Sequence, residues 1–476
     1  MPRDYDFDLL CIGSGPAGQR AAIQAAKFGK HVAVVERWPI VGGVCVATGT
    51  IPSKTFREAV LSFVAEDHRF DGQLDHHLIS RPAAEQLMRR VNAVIRREAQ
   101  VVEDQLWRNE VLLLRGEATF VDSHTVRVTA PTETRTVTAD KILLAVGTQP
   151  ATPRGVNADG ELVLTSAQVK HLRQLPRRMA VVGAGVIGIE YASMFGALEV
   201  DVTVVDKRDR PLDFVDGEIV DELMHQMRNQ GVTFRLGEAV ERLEILDGPP
   251  RQVVIYLESG KVIMSDLVLF SAGRQGATAQ LNLPAAGLTV DHRGLVTVDS
   301  QFRTAVPHIL AAGDVIGYPS LAATSAEQGR LAAHSAFEVE SKPMAAHFPV
   351  GIYSIPEISM VGAHEHELTA QKVPYETGVA RYREIARGQI VGDDSGFVKL
   401  LFHRDTHRLI GVHAIGTGAT ELIHIGQAVL GLGAGLDYLL ETVFNYPTLA
   451  ECYKVAALNA SNKLAMAASW MPKEAT

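Results

Sequence analysis

A strand, a glycine-rich turn, a helix, a second strand and a closing acid occur in this order twice along the chain. Asp8-Leu9-Leu10-Cys11-Ile12 reads as a short buried strand and Gly13-Ser14-Gly15-Pro16-Ala17-Gly18 as the turn. Gln19 to Phe28 is helix-compatible, and Val32-Ala33-Val34-Val35 forms a second strand ending in Glu36. The order returns with Arg178-Met179-Ala180-Val181-Val182, Gly183-Ala184-Gly185-Val186-Ile187-Gly188 and Val202-Thr203-Val204-Val205, ending in Asp206. Gly13 to Glu36 and Gly183 to Asp206 each span 23 positions. In such a unit the first glycine permits a tight turn, the second lets the backbone approach a pyrophosphate, and the third lets helix and strand pack closely. The helix N-terminus supplies partial positive charge, and the acid accepts ribose hydroxyls. One glycine-rich turn can arise for packing alone. Two complete copies at equal spacing predict two dinucleotide-binding domains.

A chain of 476 residues, 46% hydrophobic with 41 glycines, exceeds the size at which a single core stops growing, so two to four domains are expected. The net charge of -9 gives no reason to expect nucleic-acid binding, which needs clustered excess Lys and Arg. Arg89-Arg90 and Arg96-Arg97 read as the solvated face of an amphipathic helix. Three scattered cysteines, Cys11, Cys45 and Cys452, make no disulfide framework. The first residues lack a basic segment followed by a long apolar one, and the apolar windows are too short to cross a membrane. A cytoplasmic protein without membrane or nucleic-acid partners is expected. Lys141 to Gly147 and Leu267 to Gly273 read as apolar strands ending in glycine, and Thr304 to Asp314 as a buried strand ending in an acid, where open α/β sheets bind ligands. Two different dinucleotides in one chain imply a flavoenzyme.

A further segment, Gly43-Val44-Cys45-Val46-Ala47-Thr48-Gly49-Thr50-Ile51-Pro52-Ser53-Lys54, resembles the redox-active stretch of the flavoprotein disulfide reductases, with Thr50 where the second cysteine belongs. With the two repeats, it makes the chain similar to the class I pyridine nucleotide-disulfide oxidoreductase family, which includes glutathione reductase and dihydrolipoamide dehydrogenase. The resemblance implies an α/β fold with two Rossmann-like dinucleotide-binding domains and a C-terminal α+β dimerisation domain. It implies FAD binding by 1–150 and 276–345, NAD(P) binding by 151–275, and an interface domain over 346–476. On that basis Gly13, Gly15, Gly18, Glu36, Arg37, Gly42, Gly43, Val44, Cys45, Lys54, Ala118, Gly147, Asp314 and Ala322 are expected at FAD. Gly183, Gly185, Ile187, Gly188, Asp206, Lys207, Arg208, Arg210, Val240 and Gly273 are expected around the nicotinamide dinucleotide. Lys54 and Glu190 are expected to pair beside the reacting ring, because an unpaired buried charge is costly. No metal is expected.

A lone thiol cannot form an intramolecular disulfide that relays electrons to a sulfur substrate. Without a second thiol at hand, Cys45 reads as a small buried hydrophobe. Near the C-terminus the segment Asn445-Tyr446-Pro447-Thr448-Leu449-Ala450-Glu451 has tyrosine where the disulfide reductases carry a proton-handling histidine. A phenol titrating near pH ~10 is a poor base for thiols. Both losses fit one abandoned half-reaction. The combination is similar to the family's transhydrogenase branch, in which a hydride passes between NADPH and NAD through FAD in ping-pong fashion and the partner is a second copy of the chain. Asp206 suits the NAD ribose, while Lys207, Arg208 and Arg210 offer cations to a 2′-phosphate. A disulfide-lacking flavoenzyme that reduces quinones or oxygen is the alternative.

Overall fold

In a computed structural model, the structure describes residues 4–70, 83–151 and 159–470. The expected domain boundary near 151 adjoins 152–158, outside the described residues. The chain forms two compact units, Met1–Leu175 with Leu267–Met344, and Pro176–Asp266 with Ala345–Thr476.

In the first unit, five strands form a parallel array in the order Leu112–Arg115, Val32–Glu36, Phe7–Ile12, Thr134–Leu144, Ile309–Ala311. Val32–Glu36 and Ile309–Ala311 are buried at every position. Such near-continuous burial is what a parallel sheet covered on both faces demands of its strands. The long strand Thr134–Leu144 also pairs antiparallel with Thr125–Thr129, and that strand with Glu117–Phe120. Helix Pro16–Lys27 packs on helix Ala322–Ala336, and the crossing is close: a Cβ on Gly329 would lie 2.0 Å from the Ala17 carbonyl oxygen. Helix Ala84–Arg108 buries Leu87, Val91, Ile95, Val102 and Leu106 at helical spacing. Arg89, Arg90, Arg96 and Arg97 are exposed, the solvated face expected of them.

In the second unit, strands Arg178–Val182, Asp201–Asp206 and Thr233–Leu236 pair in parallel, with helix Val186–Ala197 joining the first two. An antiparallel meander, Val240–Leu246, Gln252–Leu257 and Val262–Ser265, follows. The C-terminal part is a five-stranded antiparallel sheet, in which Phe397–His403 pairs with Leu409–Ile415. Helix Glu451–Trp470 lies against it closely enough that a Cβ on Gly378 would fall 2.0 Å from the Ala456 carbonyl. The fold is α/β with two strand-turn-helix-strand units and a C-terminal α+β region. No described helix is long and apolar enough to cross a membrane.

Candidate dinucleotide sites

The two glycine turns have nearly the same backbone. Gly13 and Gly183 both take φ +106°, and each donates its N–H to the second strand, at Val35 O and Val205 O respectively, over 2.8 Å. Gly15 (φ −62°, ψ 177°) and Gly185 (φ −78°, ψ −177°) are extended residues that start the helices Pro16–Lys27 and Val186–Ala197, and no side chain caps either one. Both helix N-termini therefore offer their first-turn amides and the positive end of the helix dipole to an anion.

The first turn is packed so tightly that only glycine fits. A Cβ on Gly18 would lie 1.9 Å from Gly13 O, and one on Gly13 would lie 2.4 Å from Ala145 O. Gly42 (φ +104°) and Gly43 (φ +60°) bring the following loop onto the turn, where a Gly43 Cβ would meet Gly15 Cα at 2.9 Å. Glu36 is buried and accepts bonds from Ser14 N (3.2 Å), Ser14 Oγ (2.5 Å) and Trp38 N (2.8 Å). Ser14 Oγ in turn accepts the Gly42 N–H at 2.9 Å, which ties turn, acid and loop together. Arg37 is exposed, with its guanidinium 5.5 Å from the Trp38 ring centre. Gly116 N donates to Glu36 O, and Ala118, two residues on, is buried in the core.

Val44 and Cys45 lie in the short helix Gly43–Ala47, and Lys54 in the first turns of helix Thr50–Phe70. Cys45 is a half-buried free thiol. Burial pushes it above its ordinary value, against the opposing hydrogen bond from Thr50, so it stays protonated at neutral pH. Lys54 Nζ donates to Ser53 Oγ at 3.3 Å. Asp314 accepts from Thr148 Oγ1 (3.4 Å) and Ser325 Oγ (3.2 Å), and Ser325 belongs to the helix that Ala322 begins. Arg274 holds Thr148 twice, through Nε on Oγ1 and Nη2 on the carbonyl, each at 2.8 Å. Burial lowers the guanidinium's affinity for its proton, and Asp314 opposes that shift. Gly147 (φ +65°) and Gly273 (φ +113°) both adopt backbone that favours glycine.

The second turn has the same frame and a different acid. Asp206 is buried and accepts from Ala184 N (2.6 Å) and Arg208 N (2.8 Å). The Arg208 guanidinium forks across both oxygens, Nε to Oδ1 at 3.0 Å and Nη2 to Oδ2 at 2.8 Å. Burial pushes the carboxyl up, but these bonds outweigh it and hold Asp206 below the ordinary carboxylate range. Arg210 donates to Gly217 O (2.6 Å) and pairs with Asp221, while Lys207 is exposed. Ile187 and Gly188 lie in the first turn of the helix, and Val240 opens the meander. Glu190, from the same helix, is buried, and its Oε1 accepts the Tyr353 N–H at 2.9 Å.

Several of these groups carry no local signal in the sequence. Ser14, Thr148, Arg274 and Ser325 are of this kind, whereas the fully buried Lys399 shows in the sequence only as a charge within an apolar strand. Its ammonium meets Asp216 at 3.1 Å and Glu218 at 2.8 Å, and also pairs with Glu365. Burial alone would lower the Lys399 pKa, and the carboxylates raise it instead. Asp216 also caps helix Gly217–Asn229 by accepting Glu218 N at 3.1 Å. The three carboxylates lie close enough to hold a metal ion, and the Lys399 ammonium is the cation among them. Tyr446 is 69% exposed, with exposed Val443 and Tyr438 nearby in sequence.

Residues 7–329 match the pyridine nucleotide-disulphide oxidoreductase family, and residues 348–457 match its dimerisation domain. A soluble pyridine nucleotide transhydrogenase of Mycobacterium tuberculosis (strain ATCC 25177 / H37Ra) is 52% identical over 461 residues, 96% of this chain and 98% of the relative. A protein of the same name from Enterobacter sp. (strain 638) is 43% identical over 469 residues, 98% of this chain and 100% of the relative. Among solved structures, LpdA of Mycobacterium tuberculosis matches with a TM-score of 0.87 at 28% identity, covering 94% of this chain and 99% of that one. The HOCl-induced flavoprotein disulfide reductase RclA of Escherichia coli matches at 0.85 and 25% identity, covering 95% and 99%. The chain therefore belongs to the pyridine nucleotide-disulphide oxidoreductase family, as an enzyme of the soluble pyridine nucleotide transhydrogenase kind.

Proposed function

We propose that the chain binds FAD at the first glycine turn, takes NADPH and NAD+ in alternation at the second, and passes a hydride between them in ping-pong fashion without a redox disulfide. The observation that carries this reading is the pairing of Cys45 with Thr50: a free thiol held protonated by burial, beside a hydroxyl where a disulfide would need sulfur. The relatives named soluble pyridine nucleotide transhydrogenase support it.

The first turn suits a dinucleotide, since the cradle at Gly13, Gly18 and Gly43 has no room for a Cβ and its helix offers uncapped amides. Bound FAD would supply a carrier that accepts a hydride from one nicotinamide and yields it to another. Around it, Glu36 would accept ribose hydroxyls, and the first-turn amides of Pro16–Lys27 would neutralise the pyrophosphate. Asp314, oriented by Thr148 and Ser325, would hold the ribityl hydroxyls. The uncapped N-terminus of helix Ala322–Ala336 would favour negative charge on the reduced ring system. Lys54 and Glu190 would work as a charge pair at the reacting ring, with Glu190 oriented by the Tyr353 N–H. No general acid or base is required, because the hydrogen would move as a hydride in both half-reactions and no separate proton has to be delivered or removed. Orientation and charge stabilisation supply the catalysis.

The exposed Tyr438, Val443 and Tyr446 support contact of the C-terminal region with a second copy of the chain. The chain would work in the cytoplasm, with no nucleic-acid or membrane partner.

The test is anaerobic. FAD-loaded protein is reduced with NADPH, freed of NADP+, and mixed with a spectrally distinct NAD+ analogue. Reduction of the analogue with return of the oxidised flavin spectrum is expected. Reduced protein that ignores the analogue but is reoxidised by quinone or oxygen would overturn the reading in favour of a quinone- or oxygen-reducing flavoenzyme.

A further inference from the structure

A single site that serves two nucleotides must reconcile opposite demands on Asp206. A bare carboxylate accepts the two ribose hydroxyls of NAD and repels the 2′-phosphate of NADP. Here the carboxylate is not bare, since the Arg208 fork covers both of its oxygens. The guanidinium also overlies the turn, because a Cβ built on Gly185 would lie 3.9 Å from Arg208 Nη2. Arg208 thus covers the carboxylate oxygens that ribose hydroxyls would have to reach. Its other flank faces an alternative anchor: Nη1 is 3.3 Å from Asp213, whose side chain is 61% exposed, while Arg208 is 37% exposed and Asp206 only 7%. The acid is fixed by two backbone N–H groups, whereas the cation is held by side-chain contacts alone, the fork on Asp206 and Nη1 on the exposed Asp213.

We propose that Arg208 is a movable counter-ion that sets the nucleotide specificity of this site. For NADP(H) it stays beside Asp206, cancels the repulsion and gives its outer N–H groups to the 2′-phosphate. For NAD(H) it turns onto Asp213 and uncovers Asp206 for the ribose hydroxyls. Dual specificity then arises from one arginine shared between two carboxylates, and its cost falls on NAD, which must first break the fork. The inference rests on the reading of the second turn as the site for both nucleotides.

Isothermal titration of the FAD-loaded, oxidised protein with NADP+ and with NAD+ separates the two ideas without turnover. Arg208→Met is expected to weaken NADP+ by about 30-fold or more, the range of a lost charge-assisted bond, and to tighten NAD+ several-fold, because Asp206 no longer has to be uncovered. Asp213→Asn, a change at an exposed side chain, is expected to weaken NAD+ a few-fold and leave NADP+ unchanged or slightly tighter. If Arg208 merely binds the phosphate, Arg208→Met lowers NADP+ affinity while NAD+ binding stays unchanged in both variants, and that pattern overturns the proposal. A wild-type protein that binds only one nucleotide sinks the dual-nucleotide reading beneath it.

Discussion

The two glycine turns share a backbone and differ in what holds the acid. In the first, Glu36 is held by neutral donors, the Ser14 amide and hydroxyl and the Trp38 amide. In the second, Asp206 is held by two amides and a guanidinium. A neutral clamp leaves the carboxylate's charge in place, so the first site presents one fixed polarity and suits a ligand that never changes. A cationic clamp makes the second site's polarity depend on where one side chain points. The difference fits the proposed division of labour between a resident cofactor and exchanging substrates.

The strongest way to break the comparison is to destroy the frame that both turns share. A side chain at Gly18 would drive a Cβ to 1.9 Å from Gly13 O, and neither helix nor turn can shift without losing the other's packing. Gly18→Val is expected to give protein without bound flavin, read from the ratio of flavin to protein absorbance. A variant that keeps full flavin would mean that the first turn is not where FAD binds.

Next in size is the charge cluster that supports the second site. Lys399 neutralises Asp216, which caps helix Gly217–Asn229, and Gly217 O is an acceptor of Arg210. Removing the ammonium leaves the buried Asp216 carboxylate uncompensated, a loss of about 3–5 kcal/mol. Lys399→Met should lower the stability of the second unit by that order in denaturant titration, and Asp216→Asn in the same chain should restore part of it. Equal stability of Lys399→Met and wild type would show that the cluster contributes nothing net.

What was legible in the chain follows the same divide. The glycines at 13 and 183 could be read because the backbone there takes φ +106°, which side chains rarely adopt, and the closing acids because each ends a buried strand. The partners of those acids could not be read. Ser14 sits between two glycines and looks like filler. Arg208 lies only two residues after Asp206, but its fork depends on the loop path beyond the strand. Thr148 with Arg274, 126 positions apart, and Asp216 with Lys399, 183 apart, are joined by folding alone. Lys399 did leave one trace. A lysine inside Phe-Val-Lys-Leu-Leu-Phe, a strand buried along nearly its whole length, requires a buried partner.

A milder change tests the neutral clamp. Ser14→Ala removes the hydroxyl that donates to Glu36 and accepts Gly42 N–H, leaving two buried groups short of a partner at about 1–3 kcal/mol. FAD release, followed as recovery of free-flavin fluorescence on dilution, should quicken by roughly tenfold or more. An unchanged rate would mean that Ser14 only fills space.

The cationic clamp can be tested by pH. Asp206 ionises below its ordinary value in the folded chain, so it adds stability above the unfolded carboxylate pKa of about 3.9 and loses it as pH falls through the lower folded value. With Arg208→Met, burial pushes the carboxyl up with less opposition. The acid limb of unfolding should then begin at a higher pH than in wild type. Coincident limbs would show that Arg208 does not hold Asp206 in solution.

The smallest expected effect comes from giving the second turn the first turn's clamp. Ala184 occupies the place of Ser14 and is fully buried, and its amide already donates to Asp206 at 2.6 Å. A serine hydroxyl there can donate to the same carboxylate, as Ser14 Oγ does to Glu36 over 2.5 Å. Such a neutral donor competes with Arg208 and is worth about 0.5–1 kcal/mol. Ala184→Ser should therefore shift the NAD+ to NADP+ affinity ratio toward NAD+ by about two- to fivefold, with flavin content unchanged. A shift toward NADP+ would mean that the acid's partner does not set the preference and that the likeness of the two turns ends at the backbone.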